Sequence, residues 1–316
     1  MSASTASSTF GNATLISSGK ASPAGDTPDA VAELDALATR LETSFGQGRV
    51  VWRVWGLGKT VVLFHGAFGS WTHWLKTIPV LAQQYCVVVP DIPGFGDSDV
   101  PPEPCSVDSL ARILSDGLKQ ILTADERIAF VGFSFGGQMA GGCARNLRDR
   151  ARQVVLVSSS NVGIPRSKPP SGTGWRHLAT RAERDAAHRS NLAAIMIHDP
   201  AKVDGLAVWV QRNNVERARL RTMPPKENTP LRKVLAEAGC EVSYVCGDED
   251  ARCKPYVDRI HDVLGEITPD PKFVVLHGQG HWLPYEAPEM FSSALLAILD
   301  SQPSPLFEGH NRVVMS

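Results

Sequence analysis

The chain has 316 residues, 43% of them hydrophobic, and a formal net charge of −1. That is enough apolar material for a substantial core. The near-neutral balance gives no electrostatic reason to expect a nucleic-acid or membrane partner. No apolar run reaches the ~18 residues of a bilayer span.

Cys86, Cys105, Cys143, Cys240, Cys246 and Cys253 form no C-x-x-C pair, and the nine histidines show no ligand-like cluster. Reduced thiols in a cytoplasmic protein are therefore expected, with no metal and no cofactor. A small-molecule substrate is the expected partner, and a homodimer is compatible with the sequence.

Residues 1–26 are rich in Ser, Ala, Thr and Gly and lack the basic and apolar regions of a signal peptide, so a disordered tail is expected. After Asp26-Thr27-Pro28, the spacing of Val31, Leu34, Leu37 and Leu41 predicts one helix. Arg49–Trp55 alternates like a strand, and Gly56-Leu57-Gly58 turns the chain into a second strand over Thr60–Phe64. Val87–Pro90 is a third. Ser106 is placed to cap a helix whose Leu110, Ile113, Leu114 and Ile121 share one face. Ile128–Val131, Gln153–Val157, Val242–Cys246 and Lys272–Leu276 are further apolar runs. Strands alternating with helices predict an α/β fold, a mostly parallel twisted sheet covered on both faces. The alternation fails between 161 and 233, where only helical stretches follow a Pro/Gly-rich start. The expected organisation is a core over 27–160 and 234–302, a helical lid over 161–233 and a C-terminal tail over 303–316.

Gly132-Phe133-Ser134-Phe135-Gly136 lies between a strand and a small-residue helix. This G-x-S-x-G turn forces the serine into a strained conformation with its hydroxyl clear of the sheet. A serine hydroxyl is a weak nucleophile until a base takes its proton, so a histidine and a carboxylate must follow. Gly247-Asp248-Glu249-Asp250 ends one later strand, and His277-Gly278-Gln279-Gly280-His281-Trp282 ends the next. Upstream, His65-Gly66-Ala67-Phe68-Gly69-Ser70 follows a strand, and such a loop can aim a backbone N–H at a developing oxyanion. Ala67, or alternatively Phe68, would supply one donor, and Phe135, next after the serine, the other. His65 and Asp97 read as structural hydrogen-bonders. Phe68, Trp71 and Trp282 are candidates for an aromatic substrate pocket.

These loops, together with Asp91-Ile92-Pro93-Gly94-Phe95-Gly96-Asp97-Ser98, closely resemble those of the α/β-hydrolase superfamily over residues 45–300. Its bacterial serine hydrolases, carboxylesterases and meta-cleavage product hydrolases are the nearest groups. The resemblance implies Ser134 as nucleophile, His281 rather than His277 as base, and Asp250 rather than Asp248 or Glu249 as the acid. It also implies that the lid builds the substrate pocket. The expected reaction is ester hydrolysis through an acyl-enzyme. The alternatives are C–C hydrolysis of a vinylogous diketone and a ligand sensor with a slow hydrolase site. Against the C–C group stand Phe133 and Phe135 around the serine, and His73 where that group favours asparagine. Haloalkane dehalogenases and epoxide hydrolases need an aspartate nucleophile. The lid holds fourteen Lys and Arg against six Asp and Glu. Either these are solvated surface charges, or Arg212, Arg217 and Arg221 hold a substrate carboxylate.

Overall fold

The computed structural model describes residues 14–15, 27–159, 162–164, 171–220, 230–269, 271–300, 305–307 and 311–316. Its strands are β1 (Thr14–Leu15), β2 (Thr39–Phe45), β3 (Gly48–Trp55), β4 (Lys59–Phe64), β5 (Tyr85–Pro90), β6 (Ile128–Phe133), β7 (Ala151–Val157), β8 (Glu241–Gly247), β9 (Phe273–Leu276) and β10 (Arg312–Met315). The helices are α1 (Asp29–Ala36), α2 (Ile78–Leu81), α3 (Val107–Ile121), α4 (Gly136–Asn146), α5 (Arg181–Asn191), α6 (Gly205–Arg217), α7 (Leu231–Ala238), α8 (Val257–Gly265), α9 (Leu283–Glu286) and α10 (Pro288–Leu299).

The strands form one sheet in the order β1-β2-β3-β5-β4-β6-β7-β8-β9-β10. From β5 to β10 all pairs are parallel, while β1, β2 and β3 are antiparallel additions. The continuous apolar runs are explained by burial on both faces. In β4, Val61 and Leu63 join one core layer with residues of α2 and α10. Val62 and Phe64 join the opposite layer with α3, α4, α7 and α8. The same division by alternate residue holds in β6, β7 and β9.

Ser106 caps α3 as expected, in a reciprocal box with Ser109: each side chain meets the other residue's backbone N–H, at 3.0 and 2.8 Å. Helix α4 owes its position to small residues. A Cβ on Gly141 would lie 2.8 Å from Leu231 of α7, and one on Gly142 only 2.5 Å from Ala111 of α3.

Four boundaries differ from expectation. The predicted N-terminal helix stops at Ala36, and Leu41 is a fully buried residue of β2, while Leu37 is 75% exposed. Helical spacing in so short a run was coincidental with the alternation of a strand. Helix α7 begins at Leu231, inside the expected lid, but packs on α4 and belongs with the core. Of the expected C-terminal tail, Arg312–Met315 adds a parallel edge strand beside β9. Of the N-terminal tail, Thr14–Leu15 pairs with β2, and its other residues lie outside the described ones. Among the described residues, no strand interrupts the lid and no helix is long and apolar enough to cross a membrane.

Candidate active site

Ser134 follows β6 with φ = +52°, a left-handed value that non-glycine residues seldom adopt. Three hydrogen bonds hold it there: its N–H donates to Val157 O (2.8 Å), and its carbonyl accepts from Gly137 N–H (3.2 Å) and Ser159 Oγ (2.8 Å). The flanking glycines are required by close approach. A Cβ on Gly132 would lie 2.3 Å from Gly136 O, and one on Gly136 only 2.2 Å from Phe64 O.

Residues from three strand ends meet at this serine. His281 Nε2 lies 3.1 Å from Ser134 Oγ, and His281 Nδ1 lies 2.7 Å from Asp250 Oδ2. The second carboxylate oxygen of Asp250 accepts the Arg252 N–H at 2.8 Å. Asp250 is fully buried and His281 nearly so. Burial alone would push the Asp250 carboxyl up. The His281 charge and hydrogen bond, with the Arg252 N–H, outweigh it and hold the carboxyl below its ordinary value. The carboxylate is thus kept charged, and it fixes the Nδ1–H tautomer of His281, leaving an unprotonated Nε2 turned toward Ser134 Oγ.

The rival residues form a pair of their own. His277 Nδ1 lies 2.7 Å from Asp248 Oδ2, and Asp248 Oδ1 accepts the Gly278 N–H at 2.7 Å. Glu249 instead pairs with Lys254 on the surface.

Above β4, the Gly66 N–H donates to His73 Nδ1 at 3.2 Å, so the loop's first N–H is occupied. Among the described residues, no acceptor meets the N–H of Ala67 or of Phe135. His65 is structural, as expected. Its Nε2 accepts the Ile92 N–H (2.9 Å), so its Nδ1–H donates to Gly66 O (2.8 Å). Burial lowers the pKa of His65, and lowers that of His73 further with help from the neighbouring His65 and His281. Both rings are neutral, and His73 must carry its proton on Nε2.

A cavity of about 220 Å³ lies over the serine. The core contributes Ala67, Phe68, His73, Phe133 and Arg252, and the lid contributes Ile195, Met196, Gln211 and Val215. Two of the expected pocket aromatics are elsewhere. Trp71 packs against Trp55 under the Arg53 guanidinium. Trp282 is fully buried, stacks on Tyr285 and donates Nε1–H to His73 O at 3.0 Å. Neither lines this cavity, because flat side chains of this size fill the space between loops and sheet.

The segment between β7 and α7, expected as a lid, is fastened at three places. Asn214 Oδ1 accepts from Ser70 Oγ (2.7 Å) and Thr72 Oγ1 (3.2 Å). Arg217 pairs with Asp97, and Arg219 donates to Gly96 O and Ser98 O. The third fastening reaches the histidine loop. Trp282 N–H donates to Met196 O (2.7 Å), while Glu286 accepts from Gly280 N–H (2.8 Å) and from lid N–H groups of His198 (2.8 Å) and Asp199 (2.9 Å).

These contacts decide the role of the lid arginines. Arg212 pairs with Asp185 of α5 at 2.6 Å and Arg217 with Asp97, so neither is directed at a substrate. Arg221 lies outside the described residues. Asp97 also binds Arg53 (2.5 Å) and Arg40 (3.1 Å), which confirms its tethering of the turn. Arg252 was missed in the sequence. A single arginine beyond an acidic turn carries no distinguishing pattern.

The chain belongs to the alpha/beta hydrolase family, whose model matches residues 61–294. It is similar to a 2-hydroxy-6-oxo-6-(2'-aminophenyl)hexa-2,4-dienoic acid hydrolase of Metapseudomonas resinovorans, with 25% identity over 77% of this chain and 85% of that one. It is also similar in structure to a thermophilic esterase of Thermogutta terrifontis, solved with malate bound. That comparison has a TM-score of 0.62 at 25% identity and covers 83% of this chain and 98% of that one. Some higher identities are local. A Mycobacterium tuberculosis protein is 34% identical over 114 residues, 36% of this chain, so that the match spans only 33% of that relative's length.

Proposed function

We propose that this hydrolase cleaves a carboxylic ester through an acyl-enzyme, with Ser134, His281 and Asp250 as its triad. The observation that carries the reading is the continuous relay from Asp250 Oδ2 through the His281 ring to Ser134 Oγ, with contacts of 2.7 and 3.1 Å. In this reading His281 Nε2 takes the Ser134 proton as Oγ attacks the ester carbonyl. The N–H groups of Phe135 and Ala67 receive the negative charge on the carbonyl oxygen, supported by their having no other acceptor among the described residues. The imidazolium then protonates the leaving alcohol. Water, deprotonated by the same nitrogen, attacks the acyl carbonyl, and the proton passes to Ser134 Oγ as the bond to the acid breaks. Asp250 holds the ring's tautomer and stabilises the imidazolium.

The cavity of about 220 Å³ is below the range of roughly 300–1,000 Å³ typical of drug-sized ligands. Short acyl groups are therefore the expected substrates. A series of p-nitrophenyl esters tests this: kcat/KM peaks at two to four acyl carbons, with a burst of p-nitrophenol when deacylation is slow. A fluorophosphonate probe labels Ser134. Absence of both turnover and labelling would refute the reading.

The M. resinovorans relative favours a second reading, C–C hydrolysis of a ring-fission diketone, since the match covers 85% of that protein. Phe133, Phe135 and His73 stand against it. Turnover of such a diketone at a higher kcat/KM than every ester would decide for it.

A further inference from the structure

Arg252 is anomalous among the described arginines. It lines the cavity, yet its guanidinium has no ion pair and no hydrogen bond with any described residue. Its Nε is buried without a partner. Leaving a buried donor unmet is destabilising, and more so for a charged group. The neighbouring Asp250 does not relieve it. Both Asp250 oxygens are engaged, by His281 Nδ1 and by the backbone N–H of Arg252 rather than its side chain. Among the described residues, no carboxylate lines the cavity. Two of the polar groups that share it with Arg252 can add donors: Gln211 has a side-chain amide with no partner among the described residues, and neutral His73 carries its proton on Nε2.

We propose that Arg252 binds a carboxylate of the substrate, so that the preferred substrates are acids carrying a second, scissile acyl bond, such as half-esters. This deepens the ester-hydrolase reading and rests on it. The source of specificity is then the core loop after β8, not the basic lid. A guanidinium offers two parallel N–H bonds to a carboxylate, a geometry that lysine cannot reproduce. Partial burial makes the pair stronger than a surface ion pair and less sensitive to salt. Its desolvation in the free enzyme, reflected in a lowered Arg252 pKa caused by burial, is relieved when the ligand arrives.

Two matched pairs of esters test the proposal, because the carboxylate can belong to either half of the substrate. p-Nitrophenyl hemisuccinate against p-nitrophenyl butyrate probes the acyl half, and 4-acetoxybenzoate against p-tolyl acetate probes the alcohol half. The expected result is that Arg252→Gln lowers kcat/KM for the acid of one pair at least tenfold more than for its neutral partner, through KM. Arg252→Lys should recover only part of the loss, and 0.5 M NaCl should not erase the preference. Equal losses within both pairs would make Arg252 merely structural and overturn the proposal. A separate measurement protects the test from failure of the ester reading. Calorimetry of the Ser134→Ala protein should show monomethyl succinate binding at least tenfold more tightly than dimethyl succinate, a difference absent from Ser134→Ala/Arg252→Gln. Hydrolysis that survived Ser134→Ala would count against the triad alone, whereas equal binding of the two succinates would count against Arg252 alone.

Discussion

The loops after β8 and β9 carry three candidate carboxylates and two candidate histidines, and the fold sorts four of the five into two carboxylate–histidine pairs of equal length. Asp250–His281 and Asp248–His277 both close at 2.7 Å, and in each the second carboxylate oxygen accepts a backbone N–H. Bond length does not distinguish them. Surroundings do. The side chains of Asp250 and His281 are 0% and 2% exposed, against 31% and 66% for Asp248 and His277. The far nitrogen of His281 meets Ser134 Oγ, while most of the His277 ring faces solvent. A buried pair in a low dielectric holds one tautomer and one ring orientation. An exposed pair contributes little, because water competes for both partners.

The largest effect that could break this contrast is at the serine itself. Ser134→Ala should lower kcat by about 10⁶ without loss of fold, measured by ester turnover beside circular dichroism. Retention of a tenth of wild-type turnover would remove Ser134 from the chemistry. Next, Asp250→Asn should lower kcat about 10⁴-fold by stabilising the wrong histidine tautomer. Its effect should lie in kcat more than in KM.

Acid unfolding sharpens the contrast further. The Asp250 carboxyl is depressed in the folded protein. Its contribution to stability is therefore present above the unfolded value of ~3.9 and lost as pH falls through the folded one. Asp250→Asn should flatten the decline of Tm below about pH 4, and an unchanged slope would assign that decline to other carboxylates. The smallest effect belongs to the surface pair. Asp248→Asn and His277→Ala should each leave kcat within about twofold and shift stability by about 0–1 kcal/mol, less in high salt. A larger drop in kcat than that of Asp250→Asn would reverse the assignment.

Much of this site was legible because its demands are local. A strained serine needs glycines beside it, and strand ends place its partners at predictable positions in the chain. The cap of α3 was legible for the same reason, since Ser106 and Ser109 solve a local problem of unpaired N–H groups. What escaped the sequence depends on partners far along the chain. The positive charge of the lid was plain, but not that Arg217 would meet Asp97, 120 residues earlier. The loops showed the indoles of Trp71 and Trp282 without showing their depth. Edge strand β10 has four residues and an exposed alternate face, too little for a pattern.

The three fastenings of the lid carry a consequence for how the protein selects what it acts on. Met196 and the N–H groups of His198 and Asp199 are tied to the loop that carries His281, partly through the buried Glu286 carboxylate. A swing of this segment at that side would strip donors from Glu286 and disturb His281 in the same movement. The roof and the proposed proton acceptor therefore share one mounting. In the proposed hydrolase such a covering would sort molecules by girth before they reach Ser134, and turnover should depend only weakly on solvent viscosity.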